Sequence, residues 1–232
     1  MNRIGVIIPA LNEAGNVGPL IRAVHNQPNT RAVIVDNGSE DSTAEEAEHA
    51  GAILVSEPRR GYGYACAAGA RKASLFEVLV FLDADWSFAP EEMQRLTDPV
   101  LEGRADLVLG SRFRGYIEPG SMPFHQRFGN NLIVFLMNRF HGMGITDLGP
   151  YRAIRASLLQ QLPMREMTFG WPVEMIVLAR KSGARIIETP VTYRKRAFGR
   201  SKVSGTLKGT LGASLALSRL AIGSVLHQKQ VS

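Results

Sequence analysis

The apolar positions of this chain fall into two patterns that take turns. Short β-branched runs end in turn residues: Ile4 to Pro9 stops at a proline, and Ala32 to Asp36 runs into Asn37-Gly38. Runs of this kind predict buried strands of a parallel sheet. Between them Val17, Leu20, Ile21 and Val24 recur at helical spacing and predict a helix over 16–25. The alternation repeats, with a helix near 42–50, a strand over 52–56, a helix near 64–74 and a strand over 78–82. Pro90 followed by Glu91 and Glu92 marks another helix start, and 106–109 supplies a fifth strand. Strands and helices in alternation predict an α/β fold, a mostly parallel sheet flanked by helices and joined by right-handed crossovers.

Beyond residue 110 the pattern loosens. Helices are expected over 128–140 and 172–181, and an extended segment over 185–193. From Val203 to Leu226, the residues Leu207, Leu211, Leu215, Ile222 and Leu226 lie near one helical face, interrupted by Lys208, Arg219 and several glycines. That segment is too broken to span a bilayer. It reads as an amphipathic helical tail that lies in a membrane interface or packs on the domain or on a second subunit. Residues 1–202 accordingly read as one domain and 203–232 as the tail.

A chain of 232 residues that is 45% hydrophobic can bury one substantial core. The single cysteine, Cys66, has no internal partner, there is no Cys/His cluster, and the first apolar run is too short for a secretory signal. These features lead to the expectation of a reducing, cytoplasmic setting. The net charge of +6 favours anionic partners, and five of the nine residues from Arg194 to Lys202 are basic. They sit in a glycine-containing stretch without a nucleic-acid-binding motif, which favours phosphate over nucleic acid.

In open parallel sheets ligands bind beyond the carboxyl ends of the strands. Three polar segments fall there: Pro9-Ala10-Leu11-Asn12-Glu13, Asp36-Asn37-Gly38-Ser39 and Asp83-Ala84-Asp85. Two aspartates one residue apart suit a hard cation, since Mg²⁺ takes one or two protein carboxylates together with substrate phosphate oxygens. Such a cation stabilises the charge that builds on a departing nucleoside diphosphate. Asp36 has two readings, as a partner of a base or ribose and as the opening of a turn whose next helix Asp41 or Ser42 caps. The run from Arg59 to Ala65 reads as a loop that closes over a diphosphate or as an ordinary surface loop. Asp147 is a candidate general base or a turn residue, and Glu174 a candidate base or a first-turn helix residue.

The ordered set Val6 to Glu13, Asp36 to Ser39, Gly61-Tyr62-Gly63, Asp83 to Asp85 and Gly110-Ser111-Arg112 resembles the family 2 glycosyltransferases of the GT-A fold. Within them it looks most like the dolichol-phosphate (polyprenyl-phosphate) mannose synthases, and Thr146 to Ala153 and Arg196 to Lys202 extend the likeness. The resemblance implies that Pro9, Ala10, Glu13 and Asp36 hold the nucleoside, with Gly38, Arg60 and Gly61 in the same donor site. Asp83 and Asp85 would bind Mg²⁺ or Mn²⁺ and the donor diphosphate. Arg112, Arg127, Arg196 and Lys202 match positions that embrace donor and acceptor phosphates. Two positions depart from the pattern: Ser87 stands where those synthases carry Gln, and Asn131, in the acceptor set, where they carry Ser.

The expected reaction is inverting transfer of a hexose from a GDP-mannose- or UDP-glucose-type donor, with Asp85, Arg112 and Asp147 as the catalytic set. A polyprenyl phosphate at the cytoplasmic membrane face would be the acceptor, and as an anionic nucleophile it needs no strong base. A soluble hydroxyl acceptor would need one, Asp147 or Glu174. A non-catalytic nucleotide-sugar-binding protein is the third reading, and the tail is a candidate contact for a homo-oligomer.

Overall fold

The structure is a computed structural model that describes residues 2–196. Lys202 and the tail expected over 203–232 lie outside the described residues. Seven strands form one sheet in the order β3-β2-β1-β4-β6-β5-β7. They are β1 (Ile4–Ala10), β2 (Thr30–Asp36), β3 (Ile53–Ser56), β4 (Val78–Phe81), β5 (Leu107–Ile117), β6 (Arg152–Arg155) and β7 (Ile186–Tyr193). The helices are α1 (Val17–His25), α2 (Thr43–His49), α3 (Tyr62–Lys72), α4 (Met93–Leu101), α5 (Phe124–His141), α6 (Ala156–Gln161) and α7 (Trp171–Lys181). Pro90–Glu92 forms a 3₁₀ turn that leads into α4.

Side-chain alternation along the strands builds two cores. Ile7, Val33, Val35, Leu79, Phe81, Leu107 and Leu109 face α3, α5, α6 and α7. Ile4, Val6, Ile8, Ile34, Val78, Val80 and Val108 face α1, α2 and α4. The residues read as the apolar face of α1, Val17, Leu20, Ile21 and Val24, are all fully buried. A sheet covered on both faces needs strands that are apolar throughout, which explains the continuous runs of β1, β2 and β4.

The sheet is mostly parallel, with one exception. β6 runs antiparallel to both β4 and β5, a strand that the sequence pattern does not mark within the expected mostly parallel sheet. β6 left no hydrophobic signature because it carries arginine at both ends. Arg152 is nonetheless buried, its guanidinium donating to the carbonyls of Pro172 (2.8 Å) and Leu148 (2.7 Å). Such a residue is stable inside only because its donors are satisfied. α6 and the continuation of β5 from Gly110 to Ile117 were likewise unanticipated, and α5 begins four residues earlier than the expected 128.

Candidate functional site

The strand order reverses at β1, which lies between β2 and β4. At the carboxyl ends of these strands opens a cleft of about 650 Å³. Pro9, Ala10, Leu11, Glu13 and Asn37 line it from the first two strand ends, Asp83, Ala84 and Asp85 from β4, and Arg60, Gly61 and Tyr62 from the entry to α3. Arg112, Gln126, Tyr193 and Arg196 close the other side.

The first half of the cleft is braced by short polar residues. The Asn12 amide donates to Ser39 Oγ (2.9 Å), the Glu40 amide to Asn12 Oδ1 (2.8 Å) and the Glu13 amide to Thr43 Oγ1 (2.8 Å). Asn16 Nδ2 donates to Glu13 Oε2 (2.8 Å). Asp36 accepts from the Ser39 amide (3.0 Å) and so opens its own turn. Neither Asp36 nor Gly38 is among the residues that line the cleft; Asn37 is. Asn37 donates to the carbonyls of Glu57 (2.8 Å) and Arg59 (2.7 Å) and accepts from the Gly61 amide (2.9 Å), tying the loops after β2 and β3 together. Its place in an Asn-Gly turn concealed that role.

Of the two arginines after β3, Arg59 donates to Glu57 through a pair of bonds (2.8 and 2.7 Å) and lies over the Tyr64 ring, whereas Arg60 faces the cleft. The glycines that follow serve close approach. A Cβ on Gly61 would lie 2.7 Å from the Met167 carbonyl oxygen, and one on Gly63 2.5 Å from the Met167 backbone. The segment between α6 and α7 therefore seats on the start of α3, where the Tyr64 amide donates to Met167 O (3.1 Å). Thr168 and Phe169 from this segment line the cleft. Glu174 holds the segment in place, accepting from the amides of Arg165 (2.9 Å) and Glu166 (2.8 Å), and it does not line the cleft.

Asp83 and Asp85 lie at the floor of the cleft. Asp85 is buried, accepting from the Ser87 amide (2.9 Å) and pairing with Arg196 (2.8 Å). Ser87 contributes backbone rather than side chain, since its carbonyl also accepts from the Arg194 amide (2.8 Å). Burial and the neighbouring charge of Asp85 push the Asp83 carboxyl well above the usual carboxylate range. Behind it, burial lowers the Arg152 guanidinium to about 10. Two crowded carboxylates of this kind are an unfinished charge arrangement that a hard cation completes. Among the described residues no group of three or more His, Cys, Asp or Glu could hold a metal. The Asp83/Asp85 pair therefore fits a cation that draws its remaining ligands from a bound diphosphate.

Arg112, on β5, is held by Asp147. Its Nε and Nη2 donate to the two Asp147 oxygens (2.8 and 2.7 Å), and its backbone amide adds a third bond (2.8 Å). Asp147 is completely buried. The Arg112 guanidinium lies 5.2 Å from the centre of the Tyr193 ring and 3.4 Å from Asn130 Oδ1. Arg127 and Asn131, both expected beside the acceptor, are exposed on α5 and do not line the cleft. The inward position on that helix belongs to Asn130, one residue earlier. Tyr62 and Tyr193, which line the cleft, also escaped the sequence reading as site residues, because apolar or β-strand context masked them.

The profile of the family described as glycosyl transferase family 2 matches residues 5–163. An uncharacterized glycosyltransferase of Mycobacterium tuberculosis is 34% identical over 212 residues, covering 91% of this chain and 94% of that protein. The polyprenol monophosphomannose synthase of Mycolicibacterium smegmatis is 32% identical and covers 87% of this chain and 81% of its own length. Among solved structures, glucosyl-3-phosphoglycerate synthase of M. tuberculosis, in complex with Mn²⁺, UDP and glucosyl-3-phosphoglycerate, superposes with a TM-score of 0.73 at 20% identity, covering 96% of this chain and 79% of that one. That likeness is one of fold. The mostly parallel sheet, the cleft at its carboxyl edge and these matches replace the non-catalytic reading: the chain belongs to glycosyl transferase family 2 and is a glycosyltransferase of the GT-A fold.

Proposed function

We propose that the protein transfers a hexose from a nucleoside diphosphate sugar to a polyprenyl phosphate, with a divalent cation, Mg²⁺ or Mn²⁺, held by Asp83 and Asp85. The observation that carries this reading is the Arg112–Asp147 pair. Asp147, the residue suited by sequence to be a base, has both oxygens engaged by Arg112. The carboxylates among the described lining residues are Glu13, Asp83 and Asp85. The side of the cleft opposite the nucleotide loops thus offers an acceptor cations rather than a base. An acceptor that is already an anionic nucleophile matches that offer.

When bound, the cation would supply Lewis-acid stabilisation to the departing nucleoside diphosphate. The protein's own residues do the rest by positioning. Pro9, Ala10, Glu13 and Asn37 shape the nucleoside end, and Arg60 faces the donor phosphates. Arg112, held rigid by Asp147, and Arg196 attract the acceptor phosphate and align it with the anomeric carbon. Asp147 is a positioning residue in this scheme. The polyprenol monophosphomannose synthase among the relatives supports the same acceptor class.

The test uses radiolabelled GDP-mannose and UDP-glucose with Mn²⁺ or Mg²⁺, offered separately a polyprenyl phosphate, the unphosphorylated polyprenol and a phosphorylated hydroxy acid. Label extracted into organic solvent with the polyprenyl phosphate alone is expected. Transfer only to the hydroxy acid would overturn the acceptor assignment and return Asp147 to candidacy as a base.

A further inference from the structure

Helix α5 buries one side and leaves an unusual one outside. Asn130, Ile133, Val134 and Met137 face the core. On the opposite side Phe124, Phe128, Leu132 and Phe135 are 82%, 61%, 39% and 63% exposed. At spacings of four, four and three residues these side chains share one stripe of the helix. Isolated exposed apolar residues are ordinary, but three phenylalanines and a leucine in a continuous row are not. Arg139 lies on the same side, Arg127 flanks it with its guanidinium 5.5 Å from the Phe113 ring centre, and all 18 residues of α5 include no carboxylate.

The other side of the same helix borders the cleft. Gln126 of α5 lines it, and Asn130 reaches Arg112 (3.4 Å) from the inward side of the same helix. Phe169, 43% exposed, lines the cleft as well. An apolar helix face set with cations and lacking anions matches the boundary between the headgroups and acyl chains of an acidic bilayer. The same charge pattern argues against other occupants. A second α5 would oppose arginines to arginines, and residues 203–232 of this chain carry Lys208, Arg219 and Lys229 without a single carboxylate.

We infer that the outward stripe of α5, Phe124, Phe128, Leu132 and Phe135 with Arg127 and Arg139, is a docking face for an anionic membrane surface, placing the cleft at the level of the lipid headgroups. This deepens the lipid-phosphate reading, on which its purpose rests. A phosphate on a membrane-embedded chain then reaches Arg112 without leaving the headgroup layer. Arg127, outside the cleft, acts on the bilayer rather than on the reacting phosphate.

The docking itself is measured with neither donor nor acceptor present. The full chain is sedimented with phosphatidylcholine vesicles with and without phosphatidylglycerol, and a Phe128→Trp variant is tested for quenching by brominated acyl chains. Binding that requires phosphatidylglycerol, and quenching at position 128, are expected. The triple variant Phe124→Ser/Phe128→Ser/Phe135→Ser should bind about tenfold more weakly while keeping its circular dichroism and its thermal shift with a nucleoside diphosphate and Mn²⁺. Unchanged vesicle binding by the triple variant, or no quenching at position 128 in bound protein, overturns the inference. So does a concentration-dependent dimer that the triple variant abolishes. If the vesicles bind as expected and polyprenyl phosphate is still not glycosylated, the docking face stands and the acceptor assignment falls.

Discussion

The two halves of the cleft are built by different means. Around the ends of β1 and β2, short side chains within a few dozen residues of one another brace backbone loops: Asn12 with Ser39, Glu13 with Thr43, Asn37 with Gly61. On the opposite side, charged side chains from distant segments are paired: Arg112 with Asp147 and Arg196 with Asp85. In the proposed function the first construction shapes the recess that takes a planar base and ribose. The second concentrates charge, and its geometry exists only when each partner is present. A loop braced by many modest bonds tolerates the loss of one, whereas a buried ion pair that loses one member leaves an uncompensated charge.

Asp85, where the halves meet, gives the largest expected effect. Asp85→Ala should reduce metal-dependent transfer on the order of 10³-fold or more with an unchanged far-UV spectrum. Turnover within tenfold of the parent protein would move the donor site elsewhere. Next comes the paired half. Asp147→Asn should destabilise the protein by about 3–5 kcal/mol, seen in denaturant melts, because Arg112 stays buried without its counter-charge. Loss of kcat with an undisturbed melt would instead identify Asp147 as a base.

The braced half should respond less. Gly63→Ala, which sets a methyl against the Met167 backbone, should cost about 1–3 kcal/mol and raise the KM for the donor more than it lowers kcat. An equal fall in kcat would mean that the segment carrying Thr168 and Phe169 acts on the acceptor instead. Divalent-cation binding to the metal-free protein, followed by calorimetry, should weaken on acidification from pH 8 to 6. The Asp83 carboxyl is raised by burial and by Asp85, so a proton competes with the cation there.

The smallest effect concerns Glu57, whose carbonyl accepts from Asn37. The Arg59 hydrogen bonds hold its carboxyl down at about 2, against an ordinary value of 4.5. A carboxylate depressed in the folded state stabilises above its unfolded value, and that stabilisation disappears as pH falls from 4.5 towards 2. Glu57→Gln should flatten the stability profile across that window and lower stability by a constant amount above it, including near neutrality. A profile identical to the parent's would show that the pair contributes nothing.

Much of the donor half was legible in the residue pattern. Apolar runs ending in Pro9, Asp36 and Asp83 mark strand ends, and strand ends are where such sheets bind ligands. The Asp83/Asp85 pair was singled out by its place at a strand end, its spacing alone being a weak signal. Asp36 shows the limit of that reading: its carboxylate serves the turn, and Asn37 beside it lines the cleft. Arg127 and Asn131 show a second limit, since a likeness of motif assigns positions on α5 without saying which way the helix is rotated. The burial of Ile133, Val134 and Met137 turns Asn130 inward and both of those residues outward.

The sequence by itself determined the alternating elements of the first hundred residues, the two-sided burial of their strands and the acidic pair at the end of β4, because each is written in local periodicity and local turn chemistry. Only the tertiary structure decided that β6 enters the sheet antiparallel, that Asp147 is consumed by Arg112, and that the glycines at 61 and 63 admit the Met167 backbone. Each of these joins residues far apart in the chain. Whether a buried charge is tolerated or a missing side chain required depends on what the folded chain brings against it, and no periodicity in the sequence records that.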